Sequence, residues 1–214
     1  MMMKHLLLCA ALIPSLAAGN ERLYVEGKIP SDSCQPRASG DLDFRVESRG
    51  ETGVTPLSRK NTAIVVECPA ATSFTWRLVD ARADSVVKDL AQWAPDRAQL
   101  LGLGAHKGHN IGVYWLKIYR ATANGGGGVS PVDVFIGTSE SGTSGSFKFE
   151  AAGSGYLEPN LYYASAFEER ATSPSAVKRS TISLEFGGVL APMAGLAGEE
   201  AKIDGLATIE LVLL

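Results

Sequence analysis

The sequence has little histidine, no surplus of positive charge and, after its first residues, no long apolar run. Three of its 214 residues are His, and 20 Lys and Arg stand against 23 Asp and Glu, a formal net charge of −3. Without a basic surplus, the chain has no electrostatic footprint for nucleic acid or anionic lipid. A membrane-spanning helix needs about 20 consecutive apolar residues, and no segment approaches that. The usual catalytic signatures are missing too. There is no Gly-x-Ser-x-Gly, and the one Ser-x-x-Lys, Ser175 to Lys178, lacks the companion motifs of penicillin-recognising enzymes. His106 and His109 lie three apart in a glycine-flanked run without a neighbouring acid or thiol, which reads as a turn and not a metal site. Asp41 and Asp43 alternate about Leu42, which puts both carboxylates on the solvent face of a strand. The glycines that follow Asn124 lack the Gly-Lys-Ser/Thr of a phosphate loop. No enzyme, cofactor or metal is expected.

The chain does begin with a targeting pattern. Lys4 and His5 precede the apolar run Leu6 to Ile13, and Pro14, Ser15 and the small residues Ala17, Ala18 and Gly19 follow. Residues 1–19 therefore read as a signal peptide, and residues 20–214 as one exported, soluble domain. Cys9 does not fit a lipidation site, because Leu8 precedes it in place of a small residue. Losing Lys4 takes the balance to 19 − 23 = −4. Cys34 and Cys68 are the cysteines that outlast the leader, and in an oxidising compartment they are expected to pair.

Apolar residues alternate in short segments separated by Gly, Ser, Pro and Asn clusters, the pattern of strands and turns. Expected strands cover 23–29, 42–46, 63–68, 74–79, 111–119, 132–136, 147–149, 161–167, 182–186 and 206–214. Ten strands in one domain imply two packed sheets. A single helical turn is expected at Asp96 to Leu101, opened by Pro95, within a long connection from Val86 to Gly104 that would cover an edge. The glycine run after Asn124 and the Ser-, Gly- and Thr-rich stretch from Thr138 to Ser146 read as flexible hairpin connections.

Both ends of the mature chain are apolar and alternating: Leu23, Val25 and Ile29 share one face at the start, and Ile209, Leu211 and Leu213 share one at the end. An apolar strand running to the last residue calls for a pairing partner. These features resemble the pilin subunits of chaperone-usher fimbriae. In that family a glycine stands seven residues before the first disulfide cysteine, as Gly27 does before Cys34. The second cysteine lies on the next core strand, and a glycine precedes a final alternating strand, as Gly205 precedes Ile209 to Leu214. The chain is similar also to the uncharacterised beta-fimbriae subunit family of Proteobacteria, through Leu101 to Gly104, Asn110 to Tyr114 and the Asp204 to Leu211 ending.

The resemblance implies an immunoglobulin-like sandwich of pilin type that lacks its last strand and takes one from a neighbour. Leu23, Val25, Gly27 and Ile29 are the donor-strand candidates. Gly205, Ile209, Leu211, Leu213 and Leu214 would form the strand that contacts a periplasmic chaperone and later another subunit. Implied partners are that chaperone, an outer-membrane usher and other fimbrial subunits, and the implied destination is a surface fimbrium with a role in cell adhesion. The chain departs from the family in two places. Only seven residues, Asn20 to Glu26, precede the glycine, and Leu213 replaces a penultimate aromatic. The alternative is a closed secreted sandwich that binds carbohydrate or another small ligand on Trp93, Trp115, Tyr156 and Tyr162.

Overall fold

The computed structural model describes residues 33–39, 53–93, 96–125, 130–152, 155–192 and 203–214. The expected leader and the strands at 23–29 and 42–46 lie outside the described residues. Among the described residues the chain forms thirteen strands: β1 (Gln35–Ser39), β2 (Thr55–Thr72), β3 (Phe74–Asp80), β4 (Leu101–Gly102), β5 (Ala105–His106), β6 (His109–Asn110), β7 (Gly112–Asn124), β8 (Val132–Asp133), β9 (Phe135–Ser139), β10 (Lys148–Ala151), β11 (Tyr162–Ala166), β12 (Val177–Leu190) and β13 (Ala207–Leu213).

They make the expected all-β, two-sheet sandwich. The first sheet runs β1-β2-β12-β7-β4, with β8 paired to the far end of β7, and the second runs β10-β9-β11-β3-β13. Every pairing is antiparallel. Alternation along the strands directs one set of side chains between the sheets. Ile64, Val66, Leu116, Ile118, Ile182 and Leu184 come from the first sheet and meet Phe74, Trp76, Leu78, Ile136 and Tyr163 from the second. The Trp76 and Tyr163 rings stack at 4.8 Å. Two buried serines of this interior meet across it, the Ser165 and Ser180 hydroxyls lying 3.3 Å apart.

Cys34 and Cys68 are bonded, as expected. The ladder pairs Gln35 with Glu67, so the two cysteines stand opposite each other across β1 and β2, with Cα atoms 4.0 Å apart. The bond therefore anchors the start of the short edge strand β1, whose Gln-Pro-Arg-Ala-Ser sequence has no apolar alternation of its own.

Two expectations are corrected and a third is extended. The segment 132–136 is two strands, because the chain leaves the first sheet after Asp133 and enters the second at Phe135. Val134, buried between them, donates its N–H to the Ala121 carbonyl at 3.1 Å. The turn near Pro95 is a 3-10 turn of Arg97–Gln99, capped by the Asp96 carboxylate accepting from the Ala98 N–H, and Leu101 is already in β4. The long connection covers a face as well as an edge: its last residues form β4, which pairs along the outer side of β7. Its 3-10 turns carry Leu90, and Leu90 and Leu100 pack with Val113, Trp115 and Val189 on the outer side of the first sheet. Asp80 ties this strap down at both ends, accepting from the Arg82 and Gly102 N–H groups at 2.8 Å each.

Candidate functional site: the two open edges of the sandwich

A sandwich that does not close into a barrel has two sides where its interior meets solvent, and here the two are built differently. On one side stands β10, the edge of the second sheet. Phe149 points outward from it, packing on Ala164 and Ala166, so Lys148 and Glu150 take the alternate positions and face the interior side. They border a small cavity of about 120 Å³ beside Ile118, Ile136 and Tyr163. Residues 155–157 close the adjacent edge of β7, where Lys117 Nζ sits 5.7 Å from the centre of the Tyr156 ring. Inward charges on an edge strand are a known guard against further strand pairing, since a partner strand would bury them.

On the opposite side stand β1 and β13, the edges of the two sheets. The final strand extends the second sheet through seven pairs, from Ala207 opposite Asp80 to Leu213 opposite Phe74. Its inward positions are Ala207, Ile209, Leu211 and Leu213, and Ile209 and Leu211 rest on the main core. None of them is fully covered: Leu213 is 48 % exposed, whereas its cross-strand partner Phe74 is 2 % exposed. Outward, Glu210 is paired to Arg77 at 2.6 Å, and Arg77 lies over the Tyr162 ring. Burial of that guanidinium lowers its pKa less than the Glu210 hydrogen bond raises it, so the balance is upward.

Between β1 and β13 a slot opens into the core. It contains a cavity of about 520 Å³, walled by Ala38, Ile64, Leu78, Tyr114, Phe186 and Ile209, among others. Most of its lining residues are apolar, and the Tyr114 hydroxyl on its wall is held protonated far above its ordinary range by burial and by the nearby Asp80 charge. Gly205 borders the mouth. A Cβ there would press on the Tyr114 ring at 3.1 Å and Leu103 at 3.3 Å, so the glycine lets the chain pass close over the ring before β13 begins. Arg82 holds this approach with a 2.6 Å ion pair to Asp204. The cavity occupies the Ala207 end of the slot; the disulfide stands at the Leu213 end.

The structure thus brings Gly205, Ile209, Leu211 and Leu213 to one apolar opening, with Leu214 extending the ladder by an N–H bond to the Ser73 carbonyl at 3.0 Å. Leu23, Val25, Gly27 and Ile29 lie outside the described residues, as do Asp41 and Asp43. Other candidates serve local structure. His106 and His109 are paired across a tight hairpin whose tip, Lys107 and Gly108, takes positive φ, and no group of three or more potential metal ligands exists among the described residues. Ser175 accepts the Phe167 N–H at 3.1 Å. Of the aromatic platforms, Trp115 packs beneath the strap against Gly187 and Tyr162 lies on the outer face of the other sheet, so the four do not share one surface. Sequence reasoning missed β1 and the inward charges of β10. A Lys-Phe-Glu alternation would have revealed the latter only if its phenylalanine had been read as facing outward.

These features define a two-sheet, disulfide-anchored β-sandwich with one charged edge and one apolar, open edge. A scan against protein-family models finds no match, and a search of curated proteins finds no relative.

Proposed function

We propose that this chain is a structural subunit of a chaperone-usher-type fimbrium, an exported, pilin-like module whose sandwich is completed by a strand supplied by another subunit. The contrast between the two edges carries the reading. A closed module would guard both openings, yet among the described residues only the β10 side has inward charges, while the β13 side presents Ile209, Leu211 and Leu213 beside an apolar cavity. A strand laid into that slot gains backbone bonds from the free edge of β13 and buries alternate side chains between the sheets, the physics of β-augmentation. Covering the half-exposed Leu213 adds about 1 kcal/mol, and covering the partly buried Ile209 and Leu211 adds less, on top of the cavity filled. Assembly, with a chaperone holding the slot before an usher delivers the partner strand, is its role in this reading, and catalysis is not.

Material sheared from the native cell surface and run unboiled, then boiled, should give a ladder that collapses on heating. A single monomer band confined to periplasm or medium overturns the reading. Leu211→Asp places a charge on the inward face of β13, and periplasmic yield and ladder should both fall at least tenfold; unchanged recovery of both counts against assembly.

A further inference from the structure

We infer that the recess at the bulge of β7, walled by Tyr119, Arg120, Asp133 and Phe135, is a binding site for an uncharged saccharide. It lies on the β10 side of the sandwich, away from the slot between β1 and β13, so the inference stands independently of the assembly reading.

The site begins with a break in register. Along the ladder between β7 and β12, Ile118 stands opposite Leu184 and Arg120 opposite Ser183, so Tyr119 is an extra residue without a partner on β12. Such a bulge interrupts alternation and re-aims side chains. Ile118 and Ala121 both belong to the core, and the two residues between them, Tyr119 and Arg120, are both exposed. A regular strand would turn one of the two inward. Beside them the chain crosses from the first sheet to the second. β8 is two exposed residues long, and its pairing of Asp133 with Thr122 sets the Asp133 carboxylate next to Arg120, whose Nε donates to Oδ1 at 2.9 Å. On the second sheet, Phe135 stands opposite Ala151 at the end of the ladder between β9 and β10. With Ala121 and Ala152 these groups line a recess of about 360 Å³, and pockets that take small ligands run from about 300 to 1,000 Å³.

Folding does not account for these side chains. Tyr119 is 46 % exposed, and the Arg120 and Asp133 side chains are 63 % and 73 % exposed, where an ion pair adds little to stability. Their chemistry selects the ligand. An anion drawn to Arg120 meets the Asp133 charge, and a cation drawn to Asp133 meets Arg120, so the pair disfavours net charge of either sign. A purely apolar ligand would strip water from both charges and return no hydrogen bond. What the pair matches is a neutral molecule that accepts at one atom and donates at the next. Adjacent hydroxyls on a sugar ring do both: one accepts from the guanidinium while its neighbour donates to the carboxylate. The ring of a pyranose also presents a face of C–H groups, whose slight positive charge suits the electron-rich face of an aromatic ring such as Tyr119.

The test applies the purified chain to an array of neutral and sialylated oligosaccharides, and titrates it with the methyl glycosides of glucose, galactose and mannose while amide shifts are followed by NMR. The expected result is binding to neutral members of the array, with shifts clustered at residues 118–122, 132–136 and 150–152. Tyr119→Ala, Arg120→Ala and Asp133→Ala should each weaken binding by about tenfold or more, whereas Tyr119→Phe, which keeps the ring, should weaken it by less than about threefold. All three side chains are exposed, so the alanine variants should keep the wild-type Tm to within about 2 °C and form the same heat-sensitive ladder. Preference for sialylated members, shifts clustered elsewhere, undiminished binding by the alanine variants, or no binding of any array member or glycoside each overturns the inference. All of these outcomes leave the assembly reading as it stands, because the ladder reports on the slot alone.

Discussion

Removing the Cys34–Cys68 bond offers a direct test of how the open edge is held. The bond closes a loop of sequence separation 34, and chain-entropy bookkeeping for that length gives about 4 kcal/mol at 25 °C. Both cysteines are 5 % exposed, so Ala is the better replacement: Ser would add a buried hydroxyl and confuse the measurement. With a urea m-value of about 2 kcal/mol/M for a chain of this size, the Cys34→Ala, Cys68→Ala variant should lose about 2 M in midpoint. Most of this effect belongs to the unfolded ensemble, which the bond keeps compact, so the m-value should rise as the midpoint falls. Equilibrium urea unfolding followed by tryptophan fluorescence reports both, since Trp76 lies at the centre of the core. A midpoint within about 0.3 M of wild type would show that the bond neither restrains the unfolded chain nor secures β1, and the argument for its structural role would fail.

Other perturbations probe separate parts. Gly187→Val should cost about 1 to 3 kcal/mol by thermal or urea unfolding, because a Cβ at Gly187 would lie 2.6 Å from the Trp115 ring; a neutral result would mean that strand and strap separate easily. Burial pushes the Tyr163 hydroxyl up to about 12, from an ordinary 10. The unfolded chain therefore loses this proton first, and stability should fall between about pH 10 and 12 by about 2 to 3 kcal/mol. Tyr163→Phe should flatten that limb, although it leaves the Glu158 N–H, which donates to this hydroxyl at 2.6 Å, without its partner; an unchanged slope places the titration elsewhere. Lys148→Val with Glu150→Val should strip the guard from the β10 edge and produce concentration-dependent association in sedimentation. A monomer unchanged over a hundredfold concentration range would refute the guarding role.

Much of the architecture was legible because alternation is a strong signal where one face of a strand is buried. Phe74, Trp76 and Leu78 mark β3 to within a residue, and Tyr162 to Ala166 and Ala207 to Leu213 fall inside the expected spans. Length was less legible. β2 and β12 run well beyond their apolar centres because each is carried by the other's ladder, from Val177 opposite Thr72 to Leu190 opposite Thr55, through bulges that alternation cannot foresee. The crossing at Val134 was hidden for a related reason: a buried valine between two strands looks the same whether or not the chain changes sheets. β1 was invisible, since its pairing depends on a disulfide and not on its own apolar content. At the candidate site, the apolar face of β13 was legible residue by residue. The slot beside it was not, because a cavity is a property of how Ala38, Leu78 and Tyr114 come together from distant parts of the chain.

The ladder between β3 and β13 also has a mechanical meaning. Its seven residue pairs are extended at either end by the bonds from Ala81 to Leu206 and from Leu214 to Ser73. A pull on Leu214 directed along the strand loads all of these bonds together, in shear, whereas a pull across the sheet opens them one after another. The same strand should therefore resist traction along its axis far better than peeling, and single-molecule pulling in the two geometries would yield two separate rupture forces.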